Sequence, residues 1–311
     1  MKLATTTADF SDYDICESIK HICEAGFRYI DLSLNATEKC AKLFENDFEC
    51  EVQRIADTAK KYNAKFVQAH APAINCFEKD RFDEAVFKTV RSIEICGKLG
   101  IPNIVVHAGW DRNITSRAEW FEKNKNFYSK LFLVQEEHKV NVLCENGVNL
   151  PFVPVPTENM KNGFSIITGA QMRDFIKYVN NPYFHACWDI GHANVNFSGS
   201  HYKEITDLGD ELYAVHFHDN DGTHDYHLMP YMGIVNSDEI MHALIDIGFK
   251  GPLTFEAVTP LRSKDFWLGN RRDFDKDNRL AEPSIEIRKK MEEFLYTVGE
   301  TVLKAYGIFE E

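Results

Sequence analysis

Short apolar runs alternate with longer amphipathic stretches along the whole chain. The runs are rich in β-branched residues, which predicts strands, and the amphipathic stretches have the spacing of helices. The eight predicted strands are Lys2–Thr7, Arg28–Leu34, Lys65–Pro72, Asn103–Gly109, Val140–Asn146, Phe184–Gly191, Leu212–Asn220 and Pro252–Val258. The predicted helices are Tyr13–Ala25, Glu49–Tyr62, Asp83–Leu99, Ala118–His138, Thr168–Val179, Tyr202–Leu208, Ser237–Ile247 and Pro283–Tyr306. Gly26, Gly100 and Gly248 follow three of these helices and act as stop signals.

The regular alternation of strand and helix is typical of βα units on a parallel sheet. Eight such units favour a closed (β/α)8 barrel, the TIM barrel, because closure leaves no edge strand. An open dinucleotide-binding sheet is the alternative, but no glycine-rich phosphate-binding motif follows the first strand. We therefore expect residues 1–311 to form a single TIM-barrel domain, with loop insertions near 148–167 and 261–281 over its catalytic face.

Side chains with ligand chemistry stand at the carboxyl ends of six consecutive predicted strands. They are His70, His107, Glu145, Asp189 with His192, His216 with His218, and Glu256. At any one of these positions, a packed or solvated side chain is the simpler interpretation. A closed barrel brings all six strand ends to one place, so the set as a whole predicts a functional site there.

The alternation of side chains along a strand predicts which of these residues face the barrel axis. His216 and His218 share one face of the seventh strand, and Phe217 between them points toward the helices. By the same reasoning Glu145 points inward, and Gln68 lies inward beneath His70. The predicted site therefore lies inside the mouth of the barrel.

Carboxylates and imidazoles together suit a borderline or hard divalent ion, namely Zn, Mn, Co, Fe or Mg. A buried group of Glu145, Asp189 and Glu256 without a cation would suffer mutual repulsion and desolvation. Asp225 and His227 are two residues apart in the segment DYH and form a further potential ligand pair. Their neighbours in HDNDGTHD are ordinary turn formers, so a ligand pair and a plain turn both stay open.

Charge and cysteine content narrow the class of protein. Acidic residues outnumber basic ones, 48 to 35, and the formal net charge of -13 opposes binding to nucleic acid. Arg262, Arg271 and Arg272 form the only local basic group near the expected mouth. The eight cysteines include no C-x-x-C pair, and no apolar stretch has the length of a membrane span or the form of a signal peptide. We expect a cytoplasmic protein with reduced thiols and no membrane partner.

The motifs WDIGHAN, HFHDNDGTHDYH, LIDIGFKGPLTFE and the Glu of LCEN resemble the xylose-isomerase-like barrel superfamily. This group contains sugar and sugar-phosphate isomerases and epimerases, and also the endonuclease IV type of apurinic endonucleases. The resemblance covers nearly the whole chain. It implies one divalent cofactor ion (Mn, Mg, Co or Zn) held by Glu145, Asp189, His216 and Glu256. His216 stands where the family's H-x-x-D strand motif places its ligand histidine, and His218 is the alternative.

The resemblance to the ketose epimerases implies an enzyme that isomerises or epimerises a sugar, a sugar phosphate or a related polyol. The implied mechanism is proton abstraction beside a carbonyl, through a metal-stabilised enediolate. Glu145 and Glu256 are then the acid/base pair, His192 bonds a substrate oxygen, and Trp110 packs on the carbon skeleton. One departure concerns the loop after the seventh strand, where Tyr231 and a methionine replace part of the Gly-x-Gly turn of many relatives.

The endonuclease branch implies the alternative function, a zinc-dependent phosphodiester hydrolase acting on abasic DNA. In that branch two further zinc ions are held by residues that match His70 with His107, and His192 with Asp225 and His227. All of these residue types are present, whereas the acidic charge opposes the grip on DNA. A barrel that binds its ligand without catalysis is a third alternative, which a metal content near zero would favour. Pairing of barrels into a homo-oligomer is also expected.

Overall fold

The computed structural model describes residues 1–35, 38–148, 163–197, 200–257, 261 and 283–311. Most of the two predicted insertions lies outside these residues, and so do Arg262, Arg271 and Arg272. The strands are β1 (Leu3–Thr6), β2 (Tyr29–Ser33), β3 (Lys65–His70), β4 (Asn103–Val106), β5 (Asn141–Glu145), β6 (Phe184–Asp189), β7 (Leu212–Phe217) and β8 (Leu253–Phe255).

The eight strands form a closed, parallel barrel in sequence order, in which β8 pairs with β1 through Leu253 and Leu3. This confirms the predicted (β/α)8 TIM barrel. The strands are shorter at their carboxyl ends than predicted, since β6 ends at Asp189 and β7 at Phe217. His218 consequently lies one position beyond the strand, where the chain leaves the barrel wall.

Most of the helices that surround the barrel begin at side-chain caps that their sequences provide. Thr168 and Gln171 form a capping box, and Asp14, Ser116, Ser200, Asn236 and Ser284 cap other helices. The helices are α1 (Ile15–Glu24), α2 (Phe48–Lys61), α3 (Phe82–Leu99), α4 (Arg117–Ser129), α5 (Phe132–His138), α6 (Gly169–Val179), α7 (Ile190–Asn196), α8 (His201–Leu208), α9 (Ser237–Asp246) and α10 (Ile285–Ala305).

Two helix predictions need correction. The single helix expected over Ala118–His138 is broken between α4 and α5, at Lys130 and the buried Leu131. The break re-aims α5 so that Gln135 is buried and its amide donates to the carbonyl of Tyr183. The short helix α7 is not among the predicted helices, and its first two residues fall within the predicted sixth strand, Phe184–Gly191.

The core has two parts. A large apolar cluster fills the space between the strands and the helices, and it contains the fully buried Trp188. A small cluster of Val105, Leu143, Cys187 and Ala214 fills the interior of the barrel. The polar side chains at the carboxyl ends of the strands lie above this inner apolar layer. Among the described helices, none combines the length and the apolar character that crossing a membrane requires.

Candidate metal centre

The carboxyl ends of β5 to β8 bring four acidic and imidazole side chains together, which we call the central cluster. One ligand atom from each of Glu145, Asp189, His216 and Glu256 lies within 4.8 Å of the ligand atoms of the other three. His216 Nδ1 is the shared point, at 2.5 Å from Glu145 Oε1, 3.4 Å from Glu256 Oε2 and 3.9 Å from Asp189 Oδ2. Glu145, Asp189 and His216 are buried, and the Glu256 side chain is 19% exposed.

The local structure at Asp189 explains how its carboxylate is aimed. Asp189 is the N-cap of α7, and its Oδ1 accepts a hydrogen bond of 2.6 Å from the backbone N–H of His192. Asn146 holds the same backbone from the other side, since its Oδ1 accepts from the Asp189 N–H and its Nδ2 donates to the Asp189 carbonyl. The second carboxylate oxygen, Oδ2, is buried and has no hydrogen-bond partner among the described residues.

Glu145 and Glu256 of the central cluster are held in their ionised form. Burial raises the pKa of Glu145, but His216 and His107 outweigh it and bring the pKa well below its usual range. For Glu256, burial is likewise outweighed, by His216, His227 and His70, and the pKa is lowered to about 2. Buried anions with an unpartnered carboxylate oxygen are the donor set that a divalent cation requires, so the residues fit such an ion.

A second cluster lies beside the first and consists of His192, His218, Asp225 and His227, again with ligand atoms within 4.8 Å of one another. The Nδ1–H of His192 donates to the Asn146 carbonyl at 2.9 Å, and that of His227 to the Glu256 carbonyl at 2.7 Å. Their Nε2 atoms therefore face Asp225 Oδ2, at 3.4 Å and 3.2 Å. Metal-binding histidines commonly have this arrangement, with one nitrogen anchored by a hydrogen bond.

The charges in the second cluster are strongly coupled. Burial raises the pKa of Asp225, but His227 and His192 outweigh it and bring the pKa well below its usual range. Burial lowers the pKa of His227, and Asp225 more than reverses this, which raises the pKa to about 9. Asp225 Oδ1 and both ring nitrogens of His218 are buried without a hydrogen-bond partner among the described residues. His218 stacks on His227, with ring centroids 3.9 Å apart.

A third cluster joins His70 and His107 to Glu145. His70 donates its Nδ1–H to the carbonyl of Ala71 at 2.9 Å, so its Nε2 faces the site. That nitrogen lies 2.9 Å from His107 Nε2, which in turn lies 3.0 Å from Glu145 Oε2. Two imidazole nitrogens in contact need either a proton or a cation between them. Glu145 thus belongs to the central cluster through Oε1 and to the third cluster through Oε2.

The structure brings together every metal-ligand candidate that the sequence suggested. His216 lies in the central cluster and His218 in the second cluster, so the two histidines occupy different places. Asp225 and His227 lie among other ligand types rather than in an isolated turn. The predicted inward direction of Glu145, Gln68 and His216 is confirmed by their contacts inside the barrel.

Trp110 lies on the loop after β4 and is 56% exposed. The Asn75 side chain holds its backbone, since Oδ1 accepts from the Trp110 N–H and Nδ2 donates to its carbonyl. Its indole is therefore presented to solvent near the barrel mouth, and its contact with a substrate stays a prediction.

Sequence reasoning missed several residues that build the site. Cys187 Sγ lies within reach of Glu145 and His216, but burial raises the pKa of this thiol to about 12 and keeps it protonated. Asn146 orients two site residues, although only its place after Glu145 in the sequence pointed to it. Asp219 looked like a turn residue, whereas its carboxylate accepts from the backbone N–H groups of Gly233 and Val235 and so ties down the loop after β7.

The family comparison agrees with this geometry. The profile of the family described as "Xylose isomerase-like TIM barrel" matches residues 19–282. An uncharacterised protein of Methanocaldococcus jannaschii is 22% identical over 263 residues, which are 82% of this chain and 83% of that protein.

Similar solved structures include two with different activities in their names. A D-psicose 3-epimerase of Clostridium cellulolyticum H10, solved with D-tagatose, is 17% identical with a TM-score of 0.73, over 97% of this chain and 99% of that one. A family 2 AP endonuclease of Brucella melitensis is 16% identical with a TM-score of 0.63, over 82% and 92% of the two chains. At these identities the likeness shows a shared fold.

Proposed function

Because this chain belongs to the xylose isomerase-like TIM barrel family, we propose that it is a divalent-metal-dependent isomerase or epimerase of a sugar, sugar phosphate or related polyol. The observation that carries the proposal is the central cluster, in which Glu145, Asp189, His216 and Glu256 present four ligand atoms to one point. The sugar epimerases among the similar structures support the substrate class.

The metal ion would be held by these four side chains. A divalent cation bound there supplies a Lewis acid, which polarises the oxygens of a bound carbonyl compound and acidifies the neighbouring C–H group. The protein contributes the bases. Glu145 and Glu256 are ionised, and each has a carboxylate oxygen within 3.4 Å of His216 Nδ1, so the two carboxylates can lie on either side of a small substrate.

Epimerisation needs one group that removes a proton from one face of the substrate carbon and a second group that returns a proton to the opposite face. Glu256 is the more accessible of the two and is assigned the first contact with substrate. His192 is held by the Asn146 carbonyl with Nε2 directed into the site, where it is placed to hydrogen-bond a substrate oxygen. These roles are assigned from position and chemistry.

The test uses a panel of free and phosphorylated ketoses and aldoses, incubated with metal-loaded protein in D2O. We expect deuterium to appear at the carbon beside the carbonyl of one substrate, measured by NMR. Glu145→Gln and Glu256→Gln are expected to abolish the exchange, whereas Glu122→Gln on the exposed face of α4 serves as the matched control and should keep it. Full turnover by both active-site variants would refute the assignment.

The second and third clusters favour a second candidate, a zinc-dependent phosphodiester hydrolase acting on abasic DNA. Three neighbouring clusters, two of which share Glu145, offer sites for two or three ions, which could clamp the attacking and leaving oxygens of a phosphodiester. The net charge of -13 argues against this hydrolase, because binding to DNA needs basic side chains that contact the phosphates.

Metal stoichiometry separates the two candidates. One Mn, Mg or Co per chain after reconstitution favours the isomerase, whereas two or three Zn per chain together with nicking of abasic plasmid DNA favours the hydrolase. Plasmid without abasic sites is the control for a contaminating nuclease.

A further inference from the structure

His216 of the central cluster and three buried polar side chains beneath it, from three other strands, form a network inside the barrel. They are Asp31 on β2, Gln68 on β3, His216 on β7 and Thr254 on β8. The barrel interior is elsewhere filled by the apolar inner layer. Buried polar groups at this depth are costly unless each has a defined partner, so the network calls for a functional explanation.

The hydrogen bonds of the network have a fixed direction. Thr254 Oγ1 donates to Gln68 Oε1 at 3.2 Å, which occupies the carbonyl end of the carboxamide. The Gln68 Nε2 group then donates to Asp31 Oδ2 at 2.8 Å and to His216 Nε2 at 3.0 Å. With a donor facing Nε2, the imidazole carries a proton on Nδ1, which faces Glu145 Oε1 at 2.5 Å.

This tautomer is the wrong one for a metal ligand. A cation held by His216 Nδ1 needs the lone pair on Nδ1, and the ring proton must then be on Nε2. Gln68 offers no acceptor there. Asp31 does, because its Oδ2 lies 3.5 Å from His216 Nε2 and its Oδ1 has no hydrogen-bond partner among the described residues.

We propose that Asp31 is a positioning residue for metal binding, which accepts the Nε2–H of His216 in the cation-bound state, while Gln68 stabilises the opposite tautomer in the cation-free state. The inference rests on the proposed function, in which His216 Nδ1 is a metal ligand. In the cation-bound state the ring carries a single proton, on Nε2, and the lone pair of Nδ1 is free for the ion.

The strand register supports this role. Ile30 pairs with Phe66, but the next residue, Asp31, pairs with Gln68, so the register skips Val67 at an irregularity between β2 and β3. In a regular register Asp31 would lie beside Val67 instead of Gln68. The irregularity therefore puts the carboxylate and the carboxamide side by side beneath His216. Such bulges commonly re-aim side chains next to functional sites.

The other anchored histidines of the site show what is different here. His70, His192 and His227 each donate Nδ1–H to a backbone carbonyl, which keeps a proton on Nδ1. His216 instead meets two side chains at Nε2, one a donor and one an acceptor. Carboxylate partners of metal-bound histidines orient the ring and raise its basicity, and their loss typically weakens metal binding by about 10–100-fold.

The test compares two neighbouring variants, for which opposite results are expected. Mn²⁺ affinity of the full chain is measured by EPR, and Co²⁺ affinity by absorbance. Asp31→Asn should bind either ion about 10–100-fold more weakly than wild type, whereas Gln68→Leu should bind as tightly or more tightly, because the competing donor is gone. Equal losses in both variants would indicate a packing role and overturn the proposal.

Glu292→Gln is the matched control, since it also neutralises a buried carboxylate, which lies on α10 outside the three clusters and accepts a hydrogen bond from Thr5 on β1. It should bind metal as wild type does. A second measurement uses wild-type protein alone, so it does not depend on whether a variant folds. In Mg²⁺-loaded wild-type protein labelled with ¹⁵N-histidine, His216 should show a protonated Nε2, and a lone pair on that nitrogen would overturn the proposal.

Failure of this inference can be told apart from failure of the proposed function. If wild type binds no divalent ion, both are overturned. If wild type binds an ion that Asp189→Asn loses and Asp31→Asn keeps at full affinity, the metal site stands and the role of Asp31 is wrong.

Discussion

Replacement of Asp189 by asparagine should have opposite effects on stability in the absence and in the presence of a divalent ion. In the cation-free protein, Asp189 Oδ2 is a buried carboxylate oxygen with no hydrogen-bond partner among the described residues. It also lies among the other ligand atoms of the central cluster, which include the carboxylates of Glu145 and Glu256. An amide nitrogen at this position removes one negative charge and donates to the remaining carboxylates. The helix cap is kept, because Oδ1 still accepts from the His192 N–H.

The size of each effect follows from these contacts. An unsatisfied buried polar atom costs about 1–3 kcal/mol, so the cation-free Asp189→Asn variant should be more stable than wild type by roughly this amount. With about 2 °C per kcal/mol for a chain of this size, the midpoint of thermal unfolding should rise by about 2–6 °C. With the ion at 1,000 times its Kd, wild type gains about 4.1 kcal/mol of unfolding free energy, and the variant should not, so wild type becomes the more stable of the two.

The assay is thermal unfolding followed by circular dichroism, first in EDTA and then across a titration of Mn²⁺. Asp189→Ala is the control for the helix cap, because it loses Oδ1 as well and should be about 1 kcal/mol less stable than Asp189→Asn in both conditions. If Asp189→Asn destabilised the protein equally with EDTA and with Mn²⁺, the reasoning about a cation at the central cluster would be wrong.

Three further outcomes are expected. In the metal-free protein, the stability that protonated His227 contributes should be fully present below its ordinary pKa of 6.5 and should be lost as the pH rises toward the folded pKa of about 9. Unfolding measured across this pH range should show the loss in wild type and not in Asp225→Asn. Gly191→Ala should displace His218, since an added Cβ would lie 1.8 Å from its ring, and should lower the free energy of unfolding by about 1–3 kcal/mol. Elemental analysis should show that the variant loses any ion bound by the second cluster and keeps the ion bound by the central cluster. Asp219→Ala should release the loop after β7 and lower the free energy of unfolding by about 1–3 kcal/mol. Hydrogen exchange should then be faster at the two loop amides that donate to this carboxylate.

Most of the barrel could be predicted from the sequence because its signals are local. All eight strands lie where apolar, β-branched runs occur, and Gly26, Gly100 and Gly248 have the positive φ that a predicted stop requires. The break between α4 and α5 could not be predicted from periodicity. It depends on the packing of Leu131 and on the hydrogen bond of Gln135 to a distant strand.

Some features of the candidate site likewise follow from the local sequence, and others depend on the tertiary structure. The residue types at the strand ends, and the parity that turns His216 and Glu145 inward, follow from the sequence alone. The grouping of His218 with Asp225, His192 and His227 depends on where the loop after β7 folds back, which the Asp219 carboxylate determines through contacts with residues 14 and 16 positions later. No periodicity carries that information.

The sequence by itself determined the order of strands and helices, the inward or outward face of each strand residue, and the stock of carboxylates and imidazoles at the barrel mouth. These properties follow from backbone geometry and local side-chain pattern. Only the tertiary structure decided which ligand atoms share a point, which tautomer each ring can hold, and that an irregularity between β2 and β3 places Asp31 beside Gln68 and beneath His216. Such relations join residues far apart in the chain, and their energies depend on distances of a few ångströms that only the closed barrel sets.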